Sequence, residues 1–135
     1  MKKILVCVLA LVCMCSCLFM TACKLEIVYS FESMRVEQGS ERVEVKRNDT
    51  FNDIKYDANS IVLDVNEDKT FTFSANGLLE QTLSGSWETI ENNGAQETVL
   101  NFSTSGLELI TGSIVNGTAT VLLYANGVDY TIVLK

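Results

Sequence analysis

The stretch ITGSIVNGTATVLLYANGVDYTIVL, running from Ile110 to Leu134, decides the fold of this chain. It holds two Asn-Gly pairs, Asn116-Gly117 and Asn126-Gly127, and Asn-Gly tolerates the positive φ angles that a two-residue hairpin turn demands. Read as such turns, the first sets Ile114 against Ala119, Gly112 against Val121 and Ile110 against Leu123. The second sets Ala119 against Leu134, Val121 against Ile132 and Leu123 against Tyr130. The rows join into one apolar face, while the opposite face, Ser113/Thr120/Val133 and Thr111/Leu122/Thr131, carries mostly hydroxyls. A one-residue slip would turn every side chain over, so the agreement of two separate turns specifies a three-stranded antiparallel meander with one wet face.

The same reasoning works upstream. Asn93-Gly94 pairs Gly85 with Phe102, Trp87 with Leu100 and Thr89 with Thr98, and leaves Ser86/Asn101, Glu88/Val99 and Ile90/Glu97 outside. Joining Phe102 to Ile110 on the inside needs an odd loop around Ser105-Gly106-Leu107. Ile61, Leu63 and Val65 share parity with Phe71 and Phe73 across a three-residue turn, Glu67-Asp68-Lys69, whose last residue must be left-handed. The fourth pair, Asn76-Gly77, would set Phe73 against Glu80 as a tight turn, so residues 75–82 read as a longer loop. The first run has Ile27, Tyr29 and Phe31 on one side, then shifts phase to Met34 and Val36, as a bulge near Ser33 would require. Eight strands result, over 26–36, 60–66, 70–75, 84–91, 96–104, 108–115, 118–125 and 128–134. Eight is enough for a meander to close, last strand against first, and remove its edges. The expected fold is therefore an all-β, eight-stranded antiparallel up-and-down barrel; a two-layer β-sandwich is the alternative.

The chain has 135 residues, 47% of them hydrophobic, with no proline and no histidine. That is room for one domain beyond a leader. Residues 1–22 hold only Lys2 and Lys3 as charges; the remainder sets eight basic side chains against seventeen acidic ones, a formal charge of −9. Such a balance excludes a nucleic-acid binder, which needs clustered Lys and Arg, and the lack of histidine excludes imidazole catalysis and His-ligated metals. Lys2-Lys3, the apolar run Ile4–Phe19 and the small-residue exit before Cys23 have the form of an export signal, which divides the chain into a signal peptide, 1–22, and a domain, 23–135. An uncleaved membrane helix is the rival reading, since residues 4–22 come close to bilayer length. Cys7, Cys13, Cys15 and Cys17 fall within the leader and so build no disulfide framework.

Met20-Thr21-Ala22-Cys23 resembles the lipobox of bacterial lipoproteins. That resemblance implies cleavage before Cys23, a diacylglycerol on its thiol, and a domain held outside the cytoplasmic membrane, with Lys24 resembling proteins forwarded to an outer membrane where the host has one. Further along, Tyr29-Ser30-Phe31-Glu32-Ser33-Met34, Asp68-Lys69-Thr70-Phe71, Gly85-Ser86-Trp87 and Thr111-Gly112-Ser113-Ile114-Val115-Asn116-Gly117-Thr118 resemble the succession of strands in small lipocalin-like bacterial lipoproteins. The pattern departs at Lys69, where that family prefers Gly. The resemblance implies a calycin-type barrel and no particular ligand.

Among candidate sites, Asp64-Val65-Asn66-Glu67-Asp68 copies the opening of a calcium loop, but Lys69 stands where Gly makes the sharp turn and Ala75 where a bidentate Glu closes the shell. It reads as an acidic hairpin tip, and no metal or cofactor is expected. No pair of carboxylates and no Ser or Thr with a partner base is nominated, so the chain is not expected to be an enzyme. Trp87 is the one tryptophan and falls on the inward parity. The connection 37–59 is long and polar at its start, then carries Phe51, Ile54 and Tyr56 at short helical spacing after the cap residue Thr50. These three, with Trp87 and Tyr130, are the candidate ligand-binding residues; as a lid they would bound one apolar pocket with Trp87, and as a plug they would be buried over one barrel end. Two functions compete: a lipocalin-like module for a small apolar ligand, and a protein-interaction or inhibitor module for a basic partner, with a filled barrel and a focused acidic patch.

Overall fold

The computed structural model describes residues 26–103 and 109–135, and in it both Asn116-Gly117 (φ 51° and 74°) and Asn126-Gly127 (φ 52° and 78°) take the left-handed backbone expected of them. The export signal 1–22, Cys23 and the loop Ser105-Gly106-Leu107 lie outside the described residues. Among the described residues eleven strands are formed: β1 (Glu26–Gln38), β2 (Glu41–Lys46), β3 (Thr50–Phe51), β4 (Ile54–Lys55), β5 (Ile61–Asn66), β6 (Thr70–Ala75), β7 (Leu83–Asn92), β8 (Ala95–Phe102), β9 (Leu109–Val115), β10 (Thr118–Ala125) and β11 (Val128–Leu134). No described residue is helical.

Eight of these strands close a ring. β5 to β11 pair in chain order, and β1 joins β5 on one side and β11 on the other. The ring is the antiparallel up-and-down barrel, not the sandwich. Val121 lies between Gly112 and Ile132, Ala119 between Ile114 and Leu134, and Leu123 between Ile110 and Tyr130. The Asn93-Gly94 register holds from Gly85/Phe102 to Asn92/Ala95. Lys69 supplies the left-handed residue of the β5–β6 turn at φ 70°, and residues 76–82 form the longer loop.

Closure depends on an irregularity in β1. Its first half, Glu26–Ser30, pairs with β5, whereas Phe31–Glu37 pairs with β11 and the register slips between Phe31 and Ser33. One extra residue there puts Phe31, Met34 and Val36 all inside, where strict alternation would have turned the last two out. Arg47 closes the end of the β1–β2 ladder beside the slip: its amide donates to the Glu32 oxygen at 3.0 Å and its Nε to that of Phe31 at 2.8 Å.

Two features correct the sequence reading. The polar start of the 37–59 connection is not a loop: Gly39 (φ 61°) and Ser40 turn the chain back, and β2 pairs with β1 outside the ring. The expected helical turn at Phe51, Ile54 and Tyr56 is instead the tiny β3–β4 hairpin, reversed at Asn52 and Asp53, both with positive φ. The confusion has a geometric origin, because the two residues that flank a two-residue turn are separated by three in sequence, as are neighbours on a helix face. Phe51 and Ile54 are direct cross-strand partners.

Candidate functional site

The interior is occupied by the chain's own aromatic rings. Phe71 and Phe73, both fully buried, meet Phe102 edge-on at 4.8 and 5.9 Å between centroids. Gly85, the cross-strand partner of Phe71, leaves space for that ring: a Cβ there would come within 2.7 Å of Phe71 Cζ. Bulk on one strand is thus matched by its absence on the next, the interdigitation a short eight-stranded barrel needs.

The candidate ligand residues fall into two groups at opposite ends of this aromatic interior. At the end that carries the β5–β6 turn, Trp87 is half-buried, donates its Nε1 hydrogen to the Asn66 carbonyl at 2.8 Å and lies under the Lys69 ammonium, 3.9 Å from its ring centre. It walls a hollow of about 240 Å³ together with Ile27, Tyr29, Val65, Thr98 and Ile114. At the other end Tyr56 is buried, its ring 5.7 Å from that of Phe31, while half-buried Phe51 and Ile54 pack on the same core. Among the described residues no hollow brings Trp87 together with the 51–56 segment, whose Tyr56 is buried on the core as a plug residue would be. Ser60 fastens it, accepting from the Asp57 amide at 3.0 Å, and the Phe31 amide donates to the Ala58 carbonyl at 3.3 Å.

Burial pushes the Tyr56 hydroxyl above its ordinary titration range, and nearby Tyr130 raises it further. A phenol whose folded pKa exceeds its unfolded value contributes stability that is intact below the unfolded value, about 10, and is lost as pH rises through the folded one. Tyr56→Phe removes the titrating group while keeping the buried ring. Its denaturation midpoint should fall less than the parent's between pH 9 and pH 11. Equal alkaline losses in the two proteins would show that Tyr56 is not sealed under the plug.

The remaining arrangement lies on the outside of the barrel, where ring closure assembles rows from five strands. Arg42, Glu37, Asp129, Tyr124 and Leu109 are successive cross-strand partners on β2, β1, β11, β10 and β9; the next row is Glu44, Arg35, Thr131, Leu122 and Thr111. Three large side chains on it stand in solvent: Leu109 is 72% exposed, Leu122 50% and Tyr124 44%. They border a groove of about 320 Å³ whose wall includes Glu37, Asp129 and Thr131 and which curls over the rim to Tyr130. Tyr130 is thus the one sequence-nominated residue that reaches this face. Glu37 and Asp129 are register partners, two like charges side by side, which disfavours the free state. Arg42 approaches Glu37 at 3.7 Å, and among the described residues no cation lies within ion-pair distance of Asp129.

This face offers apolar area, a phenol and a pair of carboxylates on neighbouring strands. Among the described residues no group of three or more acidic or sulfur ligands could hold a metal ion, and no helix is long and apolar enough to cross a membrane. No family model matches the chain, and neither does any curated protein or solved structure.

Proposed function

We propose that the chain is a non-catalytic interaction module, held outside the cytoplasmic membrane by lipid on Cys23, that docks a partner presenting a cationic side chain beside an apolar one. The observation that carries this reading is the groove itself, where exposed Leu109, Leu122 and Tyr124 adjoin the Glu37–Asp129 pair. Exposed apolar side chains clustered beside charge mark contact surfaces more often than scattered ones do. A lysine or arginine arriving between the two carboxylates would relieve their repulsion, and the domain's charge of −9 would steer it there. The anchor rests on Met20-Thr21-Ala22-Cys23 and on the short Lys24-Leu25 spacer before β1.

Titration calorimetry with a soluble peptide of alternating lysine and leucine provides the test. Heat of binding that weakens with salt is expected, along with a loss of about 1–3 kcal/mol in Asp129→Asn and in Tyr124→Ala. Undiminished binding in both variants would remove the groove from the account. Cys23→Ala is expected to leave the membrane fraction; its retention there would favour an uncleaved leader helix.

The hollow under Trp87 favours a second reading, in which a small apolar ligand lies against the indole. At about 240 Å³ it falls below the usual size of a ligand pocket. A saturable shift of Trp87 fluorescence with a fatty acid would support that reading over the first.

A further inference from the structure

We infer that the outer edge of β2 pairs with the same edge of a second copy of this chain. β2 ends the sheet order: among the described residues it is the only strand of the nine-stranded sheet with a neighbour on one side alone. The ring exists to abolish such edges, so one that remains on the outside calls for an occupant or a guard.

The turn at Gly39-Ser40 decides which main-chain groups face out. In a two-residue hairpin the flanking pair, Gln38 and Glu41, exchanges both hydrogen bonds, and the bonded pairs then alternate. Glu41, Val43 and Val45 therefore point their amides and carbonyls at β1, whereas Arg42, Glu44 and Lys46 point theirs away. Lys46 is satisfied locally: its amide donates to Asp49 Oδ2 at 2.9 Å and its carbonyl accepts from the Asp49 amide at 3.0 Å. Arg42 and Glu44 have no such main-chain partner among the described residues, leaving two donors and two acceptors in a row.

Charge then selects the register. Antiparallel pairing centred on Val43 brings Arg42 opposite the second copy's Glu44 at both ends, with Val43 facing its counterpart, and matches outward groups with outward groups. Centring on Glu44 would oppose glutamate to glutamate and Arg42 to Lys46, whose main-chain groups are already used. Parallel pairing would set every charge against its like, and a one-residue shift would match outward groups with inward ones. The edge that deters foreign strands by its charges is thus complementary to itself. Val43, 44% exposed on a strand whose Val45 is buried, is the apolar contact at the two-fold axis. Tethering two chains to one membrane would raise their effective concentration and favour so small an interface.

Sedimentation velocity of the full chain in density-matched detergent micelles is the experiment. The parent is expected to dimerise with rising concentration. Arg42→Glu and Glu44→Arg, each opposing like charges at both positions, should weaken self-association by about tenfold or more. An equimolar mixture of the two variants should regain the dimer, because each restores the other's complement. Glu44→Pro, which deletes an outward amide without touching the ladder to β1, should be monomeric with an unchanged circular dichroism spectrum. A parent that stays monomeric through the millimolar range overturns the inference. So does a dimer that survives in Arg42→Glu or in folded Glu44→Pro, and so does a mixture that stays monomeric.

Discussion

Phe71→Ala is expected to lower the stability of the barrel by about 3–5 kcal/mol. The ring has no exposed surface and fills the space over Gly85, where it meets Phe102 edge-on at 4.8 Å. Removing it forfeits the transfer free energy of a benzyl group and leaves a cavity that a closed ring of strands cannot collapse to fill. Against a total of about 5–15 kcal/mol for a domain of this kind, that is a large share. Urea denaturation would measure it as a lower midpoint with an unchanged slope. A loss under about 1 kcal/mol would mean that the ring has room to spare and that the interior is not filled.

Gly85→Ala tests the same locus from the other strand, with an expected loss of about 3 kcal/mol, the upper part of the overpacking range. The backbone angle is not the reason, since Gly85 does not have positive φ. Its Cβ would collide with the Asn101 carbonyl and lie 2.7 Å from Phe71 Cζ; the ring can yield but the main chain cannot. Because the residues touch, the two substitutions should not add. Gly85→Ala should cost less in a Phe71→Ala background, though not nothing, as the carbonyl remains. A loss near zero in the parent would show that β7 and β8 are not held as closely as described.

How far the sequence could be read follows from the range of its signals. Asn-Gly turns are local, and parity carries their consequence along a whole strand; hence the rows Gly112/Val121/Ile132 and Trp87/Leu100 were legible residue by residue. Gly39-Ser40 is as local a signal, but it stands among Glu37, Gln38, Glu41 and Arg42, and that polarity masked the alternation of Val43 and Val45. Asn52-Asp53 lacks the glycine, and the spacing of Phe51 and Ile54 fits a helix equally well. Parity points Trp87 inward but says nothing of height, and the residue lies at the rim beside Asn66, away from Phe51, Ile54 and Tyr56. The outer groove was half visible: the wet face of β9 to β11 follows from the turns, whereas its meeting with Glu37 depends on the register of ring closure. The phase shift from Phe31 to Met34 shows within one strand that a bulge is needed, but which β11 residue each β1 residue then faces is fixed only by closure.

These positions suggest a division of labour. The aromatic rings pack against one another inside the ring and Tyr56 is buried over one end; on the function proposed above, recognition falls to the outside, where Glu37 and Asp129 border leucine and tyrosine, and the barrel is the scaffold for that surface.

The most direct test maps the contact by amide chemical shifts while the lysine-leucine peptide is added to isotope-labelled protein. Saturable shifts are expected, concentrated at Leu109, Thr111, Leu122, Tyr124, Asp129 and Thr131, with the amides of Val65, Trp87 and Thr98 unmoved. Shifts gathered around Trp87, with the outer face silent, would contradict it and return the function to the hollow at the barrel's end.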